Sequence, residues 1–223
     1  MSARRALLAE FLGTLLLLAI VVGSGIMGER LAAGNVAVAL MANAAATAAG
    51  LYVLIALLGP ISGAHFNPAV TLGIKLGGAT LPAPAAAYIA VQIAGAVLGV
   101  LLAHAMFDSA LWQPGIRMRS GAGQWLSEGV ATFGLLLTIL LGARFRPAAL
   151  PALVASWIFA AYWFTASTSF ANPAVTIARA LTQTFAGIRP LDASGFIAAQ
   201  LAGAALALLV ARALLPAQSS ERR

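Results

Sequence analysis

The sequence predicts an all-α membrane protein with six transmembrane helices and two re-entrant half-helices, arranged as an inverted 3+3 repeat. Three observations predict it. Of 223 residues, 61% are apolar and only 9% charged, whereas a soluble domain carries about 25% charged residues. The run Asn-Pro-Ala-Val-Thr occurs twice, at 67–71 and at 172–176, each time after a long apolar segment. Other paired landmarks fall in the same order in both halves.

Residues 1–5 are a short basic head, and the apolar run that follows at 6–27 is too long for a signal-peptide core, so it reads as a retained first span. A polar loop with Glu29 and Arg30 leads to a second span at 35–58, interrupted by Asn43 and Thr47 and ended by Gly59-Pro60. Asn67 and Pro68 then form a helix start: Asn caps the first free N–H groups and Pro fits the first helical position. That helix is expected to reach Lys75 or Leu76, before a break at Gly77-Gly78 and Pro82. The third span is 85–106, and the longest polar connection, 107–123, carries Asp108, Arg117 and Arg119.

The second half repeats the plan. Spans are expected at 124–142 and 148–165, joined by a basic loop with Arg144 and Arg146. A second capped helix runs from Pro173 to about Thr182, and a loop with Arg189 and Asp192 leads to a sixth span at 193–215 and a basic tail. Each Asn-Pro-Ala helix has about nine or ten residues, or roughly 15 Å, half a bilayer. Half-length helices starting from a capped Asn suit re-entrant loops, which are tolerated at that depth only when buried in protein or lining water.

The repeat extends beyond the Asn-Pro-Ala runs. Glu10-x-x-x-Thr14 opens the first span and Glu128-x-x-x-Thr132 the fourth; Gln92-Ile-Ala-Gly-Ala lies in the third and Gln200-Leu-Ala-Gly-Ala in the sixth. Three spans per half is an odd number, so the second half is inverted, with its broken helix meeting the first near the midplane. Arg4, Arg5, Lys75, Arg144, Arg146, Arg212, Arg222 and Arg223 fall on the side of the termini, and Arg30, Arg117, Arg119, Arg179 and Arg189 on the other. This bias predicts cytoplasmic termini.

Composition excludes several activities. With no cysteine, two histidines and six acidic residues, there is little from which to build a metal centre or a nucleophile–base pair, so no cofactor, no metal and no enzymatic activity are expected. The net charge of +7 is spread over helix ends and loops without a basic-aromatic patch, so the expected partner is the lipid bilayer and not nucleic acid. Two half-helices meeting at the midplane place two positive dipole ends there, repelling cations while Asn67 and Asn172 offer amide N–H groups to a neutral solute.

On these residues the chain resembles the aquaporin, or major intrinsic protein, family. The resemblance covers nearly the whole chain and rests on two Asn-Pro-Ala boxes, the paired Glu-x-x-x-Thr motifs and the box Ser-Gly-Ala-His-Phe-Asn-Pro-Ala-Val-Thr at 62–71. It implies a single channel domain over 1–223, with repeats at about 6–106 and 124–215, a multi-pass protein of the cell (inner) membrane, and a homotetramer with one pore per protomer. Residue by residue, it implies that Asn67, Pro68, Ala69, Asn172, Pro173 and Ala174 form the pore centre. Carbonyls of Gly63, Ala64 and His65, and of Thr168, Ser169 and Phe170, would form two acceptor ladders. Glu10 and Glu128 would support the loops, a reading favoured over proton relay because an isolated intramembrane carboxylate needs partners.

The family's second constriction has four positions, counted twenty residues before the first Asn, twelve and three before the second, and three after it. Here these are Thr47, Ala160, Ser169 and Val175. The last is almost always Arg in the family. Four small uncharged residues imply a wide, mildly polar pore for glycerol-type polyols and neutral metalloids such as undissociated arsenite, As(OH)3, with water also passing. A strictly water-selective pore is disfavoured. A coupled secondary transporter, which inverted repeats can also build, is disfavoured because only Glu10 and Glu128 are candidate coupling groups.

Arg179, four residues after Val175, is expected to put its charge at the outer vestibule; snorkelling to headgroups is the competing expectation. His65 is expected to shape the inner pore mouth, a fixed structural role being favoured over pH gating. His104 is expected to be interfacial, and Trp163 or Phe164 to approach the pore loop. Gln92 and Gln200 are expected to hydrogen-bond between helices, and the Gly/Ala runs around them to allow close packing.

Overall fold

The computed structural model describes residues 2–215. Arg222 and Arg223, counted above toward orientation, lie outside the described residues. Eight α-helices follow in order: α1 (Ala3–Leu31), α2 (Val36–Ser62), α3 (Pro68–Leu76), α4 (Ala85–Met106), α5 (Ala122–Phe145), α6 (Leu150–Phe164), α7 (Pro173–Arg179) and α8 (Pro190–Leu214). A 3₁₀ turn at Pro147–Ala149 leads into α6. Six segments of the described residues are long and apolar enough to cross a membrane: α1, α2, α4, α5, α8 and the turn plus α6. Their outward faces carry large apolar side chains, such as Leu8, Leu12 and Leu16 at four-residue spacing on α1. In water that stripe would be an aggregation surface; in a bilayer it faces its own solvent.

The inverted repeat is visible in the packing. α1 packs chiefly on α4 and α2, and α5 chiefly on α8 and α6, while α2 meets α6 across the two halves. The short α3 and α7 each wedge between α4 and α8, so each is braced by a helix of either half. Gly95 and Gly99 let α4 approach α1 until an added Cβ would collide with the carbonyl oxygens of Phe11 and Leu15. Gly203 does the same for α8 against Gly129 of α5. Lipid offers no hydrophobic drive between helices, so this backbone-to-backbone contact is what holds them together.

Two helix ends next to the re-entrant segments differ from the sequence expectation. α2 continues through Gly59-Pro60 to Ser62 and stops at Gly63, whose φ of 94° is left-handed. Pro60 costs α2 one bond, the one its missing N–H would have given to the Ala56 carbonyl, and the helix ends within three residues. α7 ends at Arg179, not Thr182, because the backbone beyond it is captured by other segments. Ile188 donates to the Arg179 carbonyl at 3.1 Å and Gly115 to that of Ala180 at 2.8 Å. The long connection 107–121 folds over this end of the molecule. As a result His104 is fully buried and not interfacial: Nδ1 lies 2.8 Å from the Leu111 carbonyl and Nε2 2.8 Å from the Thr182 hydroxyl.

Candidate functional site: a cavity between two half-helices

Both Asn-Pro-Ala runs build the same local structure. Asn67 and Asn172 are extended, with φ of −155° and −160°. Their Oδ1 atoms accept from the second and third N–H groups of the helix they cap, at 2.9 and 3.4 Å for Asn67 and at 2.9 and 3.3 Å for Asn172. The Nδ2 groups cross to the other half: Asn67 donates to the Ala171 carbonyl at 2.7 Å and Asn172 to the Phe66 carbonyl at 2.8 Å. Each amide retains a second N–H. The N-termini of α3 and α7 therefore meet in the interior, and both asparagines line a cavity of about 270 Å³.

The segments entering the two half-helices are unusual in backbone conformation. Ala64, Phe66, Thr168, Ser169 and Ala171 have φ between 49° and 60°, a left-handed conformation costing roughly 1–2 kcal/mol each for a non-glycine residue. Two buried carboxylates hold them there. Glu10 accepts from the backbone of His65 at 2.9 Å and Phe66 at 2.7 Å, from the Ser62 hydroxyl at 2.7 Å and from Gln92 Nε2 at 2.7 Å. Glu128 accepts from the backbone of Phe170 and Ala171, both at 2.8 Å, and from Gln200 Nε2 at 2.6 Å. Gln92 and Gln200 also reach Thr71 and Thr176, at 2.9 and 2.8 Å, tying each half-helix to its carboxylate.

Because these N–H groups are drawn to Glu10 and Glu128, the carbonyls are left over. Those of Gly63, Ala64, His65, Thr168, Ser169 and Phe170 accept no protein hydrogen bond among the described residues. Five of those residues line the cavity, and Thr168 does not. The Thr168 hydroxyl instead accepts from Arg119, at 3.5 Å. Facing the loops is an apolar wall that includes Leu17, Leu51, Ile74, Leu135 and Val154. The cavity is thus polar along one side and greasy along the other. It suits a small molecule with hydroxyls on one edge and carbon on the opposite one.

Thr47, Ser169 and Val175 line the end of the cavity away from the termini. Ala160 does not: it is exposed on the outer face of α6. The wall of α6 is made by Val154, Ile158 and Tyr162, spaced one turn apart. Counting back from Asn172 passes through the 165–171 loop, and residue counts through a loop do not preserve helix face. The four-residue apolar spacing ending in Tyr162 was the signal that could have found it. Tyr162 is buried, and its hydroxyl lies 3.3 Å from that of Thr47. A tyrosine thus stands where a small residue was expected, and this end is narrower than four small residues would make it. Trp163 and Phe164 are exposed and off the cavity wall.

Arg179 also departs from expectation. It is 2% exposed, not open in a vestibule, and it lines the cavity. Its Nε donates to the Ala186 carbonyl, and its guanidinium carbon stacks 3.4 Å from the centre of the Phe170 ring. Arg119, half-buried, lies 5.1 Å from the same ring. From the sequence, Arg119 is no more than a loop charge. Here it donates to the carbonyls of Gly187 at 2.9 Å and Ser167 at 3.1 Å, and so clamps the second loop. His65 lines the opposite end, its Nδ1 3.1 Å from the Thr71 hydroxyl and its ring against Tyr88.

Comparison with known proteins agrees with this geometry. Residues 1–149 match the family model for the major intrinsic protein. The chain is 56% identical over 211 residues to a protein named aquaglyceroporin AqpS from Rhizobium meliloti, covering 95% of this chain and 90% of that one. It is 32% identical to a probable aquaporin, TIP5-1, of Oryza sativa, over 96% of this chain and 84% of that protein. Aquaporin TIP1-1 of Arabidopsis thaliana is 34% identical over 62% of this chain and 57% of its own length.

Proposed function

The chain belongs to the major intrinsic protein family, a family of passive channels and not of enzymes, and from that premise we propose that its pore conducts small uncharged polyhydroxylated solutes as well as water. It is a multi-pass membrane protein. The observation that carries the solute reading is the two-sided wall: unspent carbonyls and two asparagine amides along one side, branched aliphatic side chains along the other. A glycerol-type molecule can exchange its hydration for those carbonyls while its carbon edge slides on the apolar face. The name of the 56% identical relative, an aquaglyceroporin, supports the same reading.

Asn67 and Asn172 donate to the passing solute at the pore centre, the loop carbonyls accept from it, and Thr47, Tyr162, Ser169 and Val175 surround the narrower end. Valine at 175 removes the charge the family usually places there, which favours neutral solutes larger than water, undissociated arsenite among them. Residues 1–223 form one channel domain of two repeats, about 6–106 and 124–215. The protein forms a homotetramer in the cell membrane with cytoplasmic termini, which the Lys and Arg distribution supports. A stopped-flow panel on proteoliposomes, comparing water, glycerol, urea and arsenite, tests the solute reading. Glycerol flux well above that of protein-free vesicles, with a low activation energy, is the expected result; saturable proton-coupled flux would refute a channel.

A further inference from the structure

We propose that Arg179 supplies, from one turn further along α7, the guanidinium that position 175 lacks, and that it is the charge barrier and solute-orienting donor of this pore. The proposal rests on the channel reading above. Four residues separate Val175 from Arg179, a rise of roughly 6 Å along one helix face. Helical side chains lean back toward the N-terminus, so a long side chain at 179 returns toward the level of 175, where valine leaves room. In the structure the Arg179 guanidinium lies on the ring of Phe170, in the loop that enters α7, and Arg179 and Val175 line the same cavity.

Two arginines share the Phe170 ring, and the contrast between them carries the argument. Arg119 spends its donors on the protein, on the carbonyls of Gly187 and Ser167 and the hydroxyl of Thr168. Arg179 spends only Nε, on Ala186. Its two terminal nitrogens donate to no acceptor among the described residues, and neither is sealed from the cavity that the residue lines. The ion pairs among the described residues are Arg117–Glu29 and Arg189–Asp192, so no carboxylate neutralises Arg179. A buried, unpaired cation within a membrane protein is expensive and marks a working position. The hydroxyls of Tyr162 and Thr47, 3.3 Å apart, belong to residues that line the same cavity.

An unpaired guanidinium on the cavity wall sorts solutes by charge. A hydroxyl oxygen of a neutral solute accepts from the free guanidinium N–H groups, while protons and metal cations meet a fixed positive charge in a water-poor passage. The proposal is tested on reconstituted channels by measuring proton leak under a valinomycin-clamped potassium gradient, with water permeability as the sign that folded channel is present. The wild type should leak no more than protein-free vesicles. Arg179→Leu and Arg179→Gln should each raise the leak about tenfold or more, since each removes a full charge at close range. Arg179→Lys, which keeps the charge, should stay tight. The double variant Val175→Arg/Arg179→Leu should conduct water and return the leak to the wild-type level.

A wild type that already leaks, charge-free variants that conduct water without leaking, or a double variant that does not recover would each overturn the proposal. Glycerol flux is recorded in the same vesicles. If the wild type passes water but not glycerol while the leak still responds to Arg179, the polyol reading fails and the arginine assignment stands.

Discussion

The two re-entrant loops share their internal bonds and differ in what they present to the ends of the pore. Glu10 and Glu128, Gln92 and Gln200, Thr71 and Thr176, and Asn67 and Asn172 make matching contacts in the two halves. At the rims the correspondence breaks. His65 packs on Tyr88 in the first half, where Phe170 packs on Phe196 in the second. Ile74 lines the cavity one turn beyond Val70, and Arg179 lines it one turn beyond Val175. The shared set bends the chain and aims its carbonyls, so it is needed twice. The differing set gives an otherwise pseudo-symmetric pore one end lined by His65 and Ile74 and one lined by the Arg179 guanidinium.

That comparison can be broken most strongly at the carboxylates. Glu10→Ala strands two backbone N–H groups, a hydroxyl and an amide inside the protein, and should cost about 3–5 kcal/mol. Glu128→Ala, without a hydroxyl partner, should cost about 1 kcal/mol less. Thermal unfolding in detergent, followed by loss of the monodisperse peak, ranks the two; a larger loss for Glu128→Ala would contradict the bond inventory.

The asparagines should behave alike. Asn67→Ala and Asn172→Ala each remove one helix cap and one crossing hydrogen bond, for about 2 kcal/mol apiece. The same assay should place them within error of each other, and a marked asymmetry would mean that one crossing bond is dispensable.

Val175→Arg adds a second guanidinium beside Arg179 at the narrow end. It should reduce glycerol and arsenite flux about tenfold, equivalent to about 1.4 kcal/mol of added barrier, and reduce water flux less. Unchanged solute flux in stopped-flow uptake would remove position 175 from the constriction. The smallest effect belongs to Ala160→Leu. Ala160 is exposed outside α6, so glycerol flux should change less than about twofold, the scale of an ordinary surface substitution. A large change there would reinstate Ala160 in the filter at the expense of Tyr162.

Which parts of this structure could be read from the sequence follows from how local each signal is. The Asn-Pro pair announces a capped helix within five residues, and Glu10 and Glu128 stand out as lone carboxylates in apolar runs, so both features were legible. α4 was bounded correctly because Pro82 and Pro84 precede it and the polar Asp108-Ser109 follow it. What failed was non-local. The stop of α7 is set by Ile188 and Gly115, distant in sequence. His104 is buried by a loop whose path no periodicity reveals. Ala160 was placed by a count through a loop, and Arg179 by its charge class, although its stacking partner lies on another segment.

The crossing amide bonds also bear on how the chain is made. Asn67 and its acceptor, the Ala171 carbonyl, are separated by 104 residues. At a synthesis rate of about 5–20 residues per second, the first loop waits roughly 5–20 s for its partner. Through that interval its amide and carbonyls need water, so the first half, α1 to α4, must be held in the translocation machinery or in a hydrated groove. Only when the second loop arrives can the two close on each other and leave the machinery together.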